Sequence, residues 1–174
     1  MAVRADAEIT ARRRGERAEY SSAIDALVQV LRLCLVTDSF LGQCCYRAKA
    51  ALQARRVPLV PRLFHRMAVV QGQIAIGDPV VVAPGIYIPH GQVVADGLTR
   101  IGAGSVLFPF CNIGLRGGFG GPTLGSEVHV GTGAKVLGEV RVGDGARIGA
   151  NAVVLDDVGT GARVVGVPAR AIVP

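Results

Sequence analysis

Beyond residue 70 the chain places an aliphatic residue at every sixth position. Ile76, Val82, Ile88 and Val94 form one run. Ile101, Leu107 and Ile113 form a second, and Leu124, Val130, Val136, Val142, Ile148 and Val154 a third. A helix repeats every 3.6 residues and a half-buried strand every two, so six belongs to neither. It is the period of a solenoid in which each hexapeptide makes one short flat face and three faces close a triangular coil. The aliphatic residue then points into the prism and stacks on its counterparts in neighbouring coils. Glycine follows it at Gly77, Gly102, Gly114, Gly125, Gly131, Gly143 and Gly149, and alanine precedes it by two at Ala134, Ala146 and Ala152. The composition agrees: half the chain is hydrophobic, only 5% is aromatic, there is no Trp and there are 24 Gly. Such a core must be built from Val, Ile, Leu and Ala.

The breaks in phase carry as much information. Val94 to Ile101 is a step of seven, and Ile113 to Leu124 a step of eleven. The longer one contains Leu115-Arg116-Gly117-Gly118-Phe119-Gly120-Gly121-Pro122. A solenoid expels insertions as surface loops, which often do the binding. A loop is therefore expected at about 115–123.

Residues 21–70 read as helical. Ile24, Leu27, Val28, Leu31 and Leu35 fall on one helical face. Asp38 is placed to cap a second helix, roughly Phe40 to Arg55, and a short third helix is expected from about Arg62 to Val69. The net charge of +6 is concentrated early, at Arg4, Arg12, Arg13, Arg14 and Arg17. With no aromatic–basic interleaving, residues 1–20 read as a solvated, flexible terminus rather than a nucleic-acid arm. The cysteines Cys34, Cys44, Cys45 and Cys111 have neither metal-ligand nor secretory spacing and read as buried free thiols in a reducing, cytoplasmic compartment. No signal peptide is evident, and the apolar segment Ala26–Val36 is too short to span a bilayer.

The run VGTGAKVLGEVRVGDGARIGANAVVLDDV, followed by VVGVPAR, resembles the hexapeptide-repeat acyltransferases, and among them the serine O-acetyltransferases most. So do DSFLGQCCYRAKAALQARRVPLVPRLFHR and PGIYIPHG, extending the resemblance over about residues 35 to 172. It implies a mainly β fold: a left-handed parallel β-helix over 71–174 behind the α-helical region 21–70. It also implies an acetyl-CoA-dependent O-acetyltransferase that binds acyl-CoA and a small-molecule acceptor, acting as a homotrimer. In this resemblance His90 matches the general base. Gly114, Thr132, Arg147 and Ala150 match the CoA groove, with Arg147, Lys135 and Arg170 as candidates for its phosphates.

The chain departs from that pattern at three places. Pro89 stands where the family has Asp, and Gly120-Gly121-Pro122 stands where it has Arg-His-Pro. The carboxylate expected to orient the base falls on Ala75, with Asp78 nearby. These changes leave open a non-serine acceptor, such as an amino sugar or a biosynthetic intermediate, and a non-catalytic assembly role. A zinc hydrase would need His65, His90 and His129 to converge, and their sequence positions argue against a metal site. The short helical region and the end at Pro174 lead us to expect no complex with cysteine synthase; the lack of a nucleic-acid motif and of a long apolar segment leads us to expect no nucleic-acid or membrane partner.

Overall fold

A computed structural model describes residues 1–172, so the last two residues of the 71–174 span lie outside it. Four helices come first: α1 Ala2–Arg13, α2 Ala23–Val36, α3 Phe40–Ala54 and α4 Val60–Gly72. The rest is a solenoid of three parallel ladders. The first face stacks β1 Ile74–Ile76, β3 Val93–Ala95, β6 Asn112–Gly114, β9 Lys135–Leu137 and β12 Val153–Val154. The second stacks β2 Val81–Val82, β4 Arg100–Ile101, β7 Thr123–Leu124 and β10 Arg141–Val142. The third stacks β5 Val106–Leu107, β8 His129–Val130, β11 Arg147–Ile148 and β13 Arg163–Val165, closed by the antiparallel β14 Arg170–Ala171.

The six-residue register is met along nearly the whole prism. Ile76, Val82, Ile88, Ile101, Leu107, Ile113, Leu124, Val130, Val136, Val142, Ile148 and Val154 are all buried, as are Ala134, Ala146 and Ala152. One position is corrected. Val94 is 40% exposed, and Ala95 is the fully buried residue that pairs with Ile76 and Ile113. The seven-residue step therefore runs from Ile88 to Ala95, and Ala95 to Ile101 returns to six. A β-branched residue beside a small one made the wrong member look like the inward one. The consequence is local: the extra residue sits in the turn Pro89-His90-Gly91-Gln92. The same turn in the next three coils, Leu107 to Ile113, Val130 to Val136 and Ile148 to Val154, keeps the step of six.

The helices dock through buried polar groups. Arg47 of α3 makes a two-pronged contact with Asp6 of α1, at 2.7 and 3.0 Å, and donates to the carbonyls of Val82 and Ala83. Asp6 also accepts from the backbone of Gly85 and Ile86. Both side chains are buried, and the cluster is satisfied on all sides, the condition under which a buried pair holds elements in place. Residues 2–13 are thus a docked helix, not the solvated terminus expected from the arginines: Asp6, Ala7, Thr10 and Ala11 face inward while most of the arginines stay outside. Lys49, 2% exposed, likewise reaches the Ile76 carbonyl at 2.7 Å and Asp78 at 2.8 Å, tying α3 to β1.

The apolar stripe of α2 lies on the outside. Ile24, Leu27, Val28, Leu31 and Leu35 are exposed, and it is Ala26 and Leu33 that are buried. Leu33 packs with Ala7 and Phe40. The stripe is helical, as its spacing predicts, but faces away from this chain's own core. Among the described residues no helix is long and apolar enough to cross a membrane.

Candidate active site

The turn from the third face back to the first repeats in each coil and forms one corner of the prism. Gln92, Phe110, Gly133 and Asn151 all take positive φ there, between 56° and 71°. Backbone bonds stack them: Phe110 N–H donates to Gln92, Gly133 to Pro109 and Asn151 to Thr132. His90 occupies the first of these turns, the one with the extra residue. Its Nδ1 lies 2.9 Å from Asp38 Oδ2, with both side chains largely open to solvent. An ionised carboxylate can only accept, so Nδ1–H is the donor, and in the neutral ring the lone pair then lies on Nε2.

Asp38 is therefore the carboxylate that meets His90, and neither Ala75 nor Asp78 does. It does not cap α3 as expected. Ser39 is the N-cap residue, and the nearest capping contact is Phe40 N–H to Thr37 Oγ1 at 3.2 Å. Sequence reading missed the role because an Asp before a helix has an obvious local use. Only the packing of α3 on the first coil shows that it faces His90 instead. Its neighbours fix that packing. Ser39 Oγ donates to the Ile88 carbonyl, two residues before His90, and Gln43 Nε2 donates to the Ile86 carbonyl at 3.1 Å. Asp78 is engaged by Lys49, whose hydrogen bond holds its carboxyl below the usual carboxylate range.

The structure gathers some of the expected CoA residues and disperses others. Thr132 and Ala150 occupy the His90 corner further along the prism, where a Cβ at Gly131 would meet the backbone of Ile148 and Ala150 at 2.7 and 2.8 Å. Lys135 projects from β9 into a groove on the first face shared with Gln73, Gln92, Phe110 and Asn112. Its Nζ donates to the Gly133 carbonyl at 3.2 Å. The groove begins two residues from His90, and the six-residue pattern gives no sign of it because its side chains point outward. Arg147 stands around the corner on the third face, between His129 and Arg163. Gly114 lies at the far edge of the first face against Asp96. Arg170, on β14, pairs with Asp156 at 3.2 Å.

The three histidines do not converge. His65 belongs to α4, and His129 faces outward on β8 with its Nε2 3.4 Å from Arg13 of α1. Burial, then Arg13 and Arg147, push the His129 imidazolium toward its neutral form.

The 115–122 insertion emerges at the opposite edge of the first face, between β6 and β7. It is fastened by Leu115 N–H to Asp96 Oδ1 at 3.0 Å and by Leu98 N–H to the Phe119 carbonyl. Gly121, where the resemblance expects His, is wedged against Thr99: a Cβ there would sit 2.5 Å from Oγ1 and 2.8 Å from the backbone nitrogen. This position has no room for a side chain.

Residues 121–156 match the model of the bacterial transferase hexapeptide family, described as six repeats. A serine acetyltransferase from Helicobacter pylori is 42% identical over 132 residues, covering 74% of this chain and 77% of its own. Among solved structures, the soybean serine acetyltransferase apoenzyme superposes with a TM-score of 0.79 at 26% identity, over 98% of this chain and 69% of that one. A serine acetyltransferase in complex with CoA gives 0.81 at 25% identity, over 98% and 68%. With the parallel prism, the helical approach and the His90 corner in place, the 42% relative settles the matter: the chain belongs to the serine acetyltransferase family of hexapeptide-repeat acyltransferases.

Proposed function

We propose that the chain transfers an acetyl group from acetyl-CoA to the hydroxyl of serine or a similar small acceptor, with His90 as general base. The observation that carries this reading is the 2.9 Å contact between His90 Nδ1 and Asp38, which leaves Nε2 free on an open corner. As the acceptor oxygen attacks the thioester carbonyl carbon, Nε2 takes its proton. The carbonyl oxygen gathers negative charge in the tetrahedral intermediate, the C–S bond breaks, and the departing CoA sulfur takes the proton back from the imidazolium. Asp38 keeps the ring oriented and balances its charge while it holds that proton. Thr132, Ala150 and Lys135, on or beside the same corner, are the assigned contacts of the CoA arm. Arg147 and Arg170 are assigned to its phosphates and Gly114 to the thioester end. The active unit in this reading is a homotrimer, in which the exposed stripe of α2 has a surface to cover it.

A second reading, a different acceptor, is favoured by one feature. The wedged Gly121 replaces a histidine that the family places in the acceptor pocket, and Thr99 leaves no space to restore it. One assay separates the readings: CoA release from acetyl-CoA with serine and with a panel of hydroxyl and amino acceptors. The primary reading expects serine turnover, falling about 10²- to 10⁴-fold in His90→Ala. Turnover only with another acceptor, equally dependent on His90, selects the second. Activity indifferent to His90 would overturn both.

A further inference from the structure

Cys34 lies in the last turns of α2 and Cys44 near the start of α3, with their sulfurs 3.8 Å apart. Both are free thiols, and both are half-buried rather than enclosed as the spacing argument expected. The three residues between the helices are Thr37, Asp38 and Ser39. Two of them grip the His90 turn, Asp38 through the imidazole and Ser39 through the Ile88 carbonyl. The thiol pair thus braces the base of the segment that carries the partner of His90.

We infer that Cys34 and Cys44 form a dithiol modification site, closed reversibly to a disulfide by a small-molecule disulfide, and that closure displaces Asp38 from His90. The effect on turnover rests on the His90 reading; the modification itself does not. The Cys34 thiolate attacks the oxidant RSSR, breaking its S–S bond and releasing one RSH. The Cys44 thiolate then attacks the Cys34 sulfur of the mixed disulfide and releases a second RSH. The protein gives up two electrons and two protons, and the oxidant is reduced to two thiols. Burial pushes both thiols up; at Cys34 the Cys44 S–H contact offsets part of that, whereas at Cys44 the neighbouring thiol adds to it, so Cys34 attacks first. Closure therefore speeds up as pH rises. It also requires the sulfurs to approach from 3.8 Å to about 2.05 Å, which pulls on both ends of the Asp38 turn. A displacement of about 1 Å at a reacting group is worth up to about 100-fold in rate.

The test is incubation of the full chain with oxidised glutathione at alkaline pH. Peptide mapping should find a Cys34–Cys44 linked peptide, with loss of two hydrogens from the intact mass. The His90 ring resonances should move on oxidation. Acetyl transfer should fall about tenfold and return with dithiothreitol. Cys34→Ser and Cys44→Ser should start at wild-type activity and show none of these changes. Absence of the linked peptide, or its formation with the His90 resonances and turnover unmoved, overturns the inference. A linked peptide with moving resonances but no acetyl transfer in either redox form supports the dithiol site and counts against the proposed function alone.

Discussion

The solenoid is held together by repeated apolar contacts, whereas the helical region adds polar contacts that occur once. Inside the prism nearly every contact is a repeat of another: Leu107, Val130, Ile148 and Val164 stack from coil to coil along the third face. Burial there is apolar and non-directional, so each coil specifies itself and its neighbours. The helices cap that core with Cys45, Tyr46 and Ala68, and they add singular polar contacts, Asp6 with Arg47 and Lys49 with Asp78, each occurring once. Directional contacts of this kind fix position as well as attachment, and position is what the site needs. Ser39 and Gln43 anchor α3 to the backbone of the first coil, and Asp38 meets His90 as a result. The solenoid supplies the corner on which His90 stands, and the helical region supplies its partner.

This contrast can be broken from either side. The largest effect is expected for Asp6→Ala, which strands Arg47 in a buried site and should cost about 3–5 kcal/mol. Denaturant unfolding measures it, and loss of α1 docking should release the Arg13–His129 contact as well. Leu107→Ala empties one link of the apolar stack and should cost about 2–5 kcal/mol by the same assay. The difference lies in function: Leu107→Ala is expected to leave kcat near wild type wherever the protein is folded, because the loss is spread along a column. Asp38→Asn inverts the pattern. An exposed pair adds little stability, so unfolding should scarcely change, while kcat with the best acceptor should fall about 10- to 100-fold.

The smallest effect sharpens the comparison by pH. The Lys49 hydrogen bond lowers the folded-state pKa of Asp78 below its ordinary value of 3.8. A depressed carboxylate contributes stability that is present above the unfolded value and is lost as pH falls through the folded one. Acid titration of stability should therefore be shallower below about pH 5 in Asp78→Asn than in wild type. The two proteins should differ most near neutral pH and least once pH has fallen below the folded-state value of Asp78, and the solenoid core, which holds no buried carboxylate among the described residues, should contribute no such slope.

The sequence by itself determined the architecture. A six-residue aliphatic period is a local, repeated signal, and its physical meaning survives small errors of phase. The reading held for twelve of the inward positions even though Val94 was chosen over Ala95. It also placed the expelled loop at 115–122 and the helices over 23–36 and 40–54, and it singled out His90 as the candidate base. Tertiary structure decided everything that depended on two distant segments meeting once. The partner of His90 is 52 residues away in sequence, and Asp6 meets Arg47 across 41. No periodicity records such a contact, because a single polar pair leaves no repeat behind. The outward stripe of α2 makes the same point. Spacing reveals that a face is apolar, but which side of the helix meets the protein is settled by what docks beside it. Here Leu33 turns inward to Ala7 and Phe40, Ala26 is buried as well, and the longer stripe faces out.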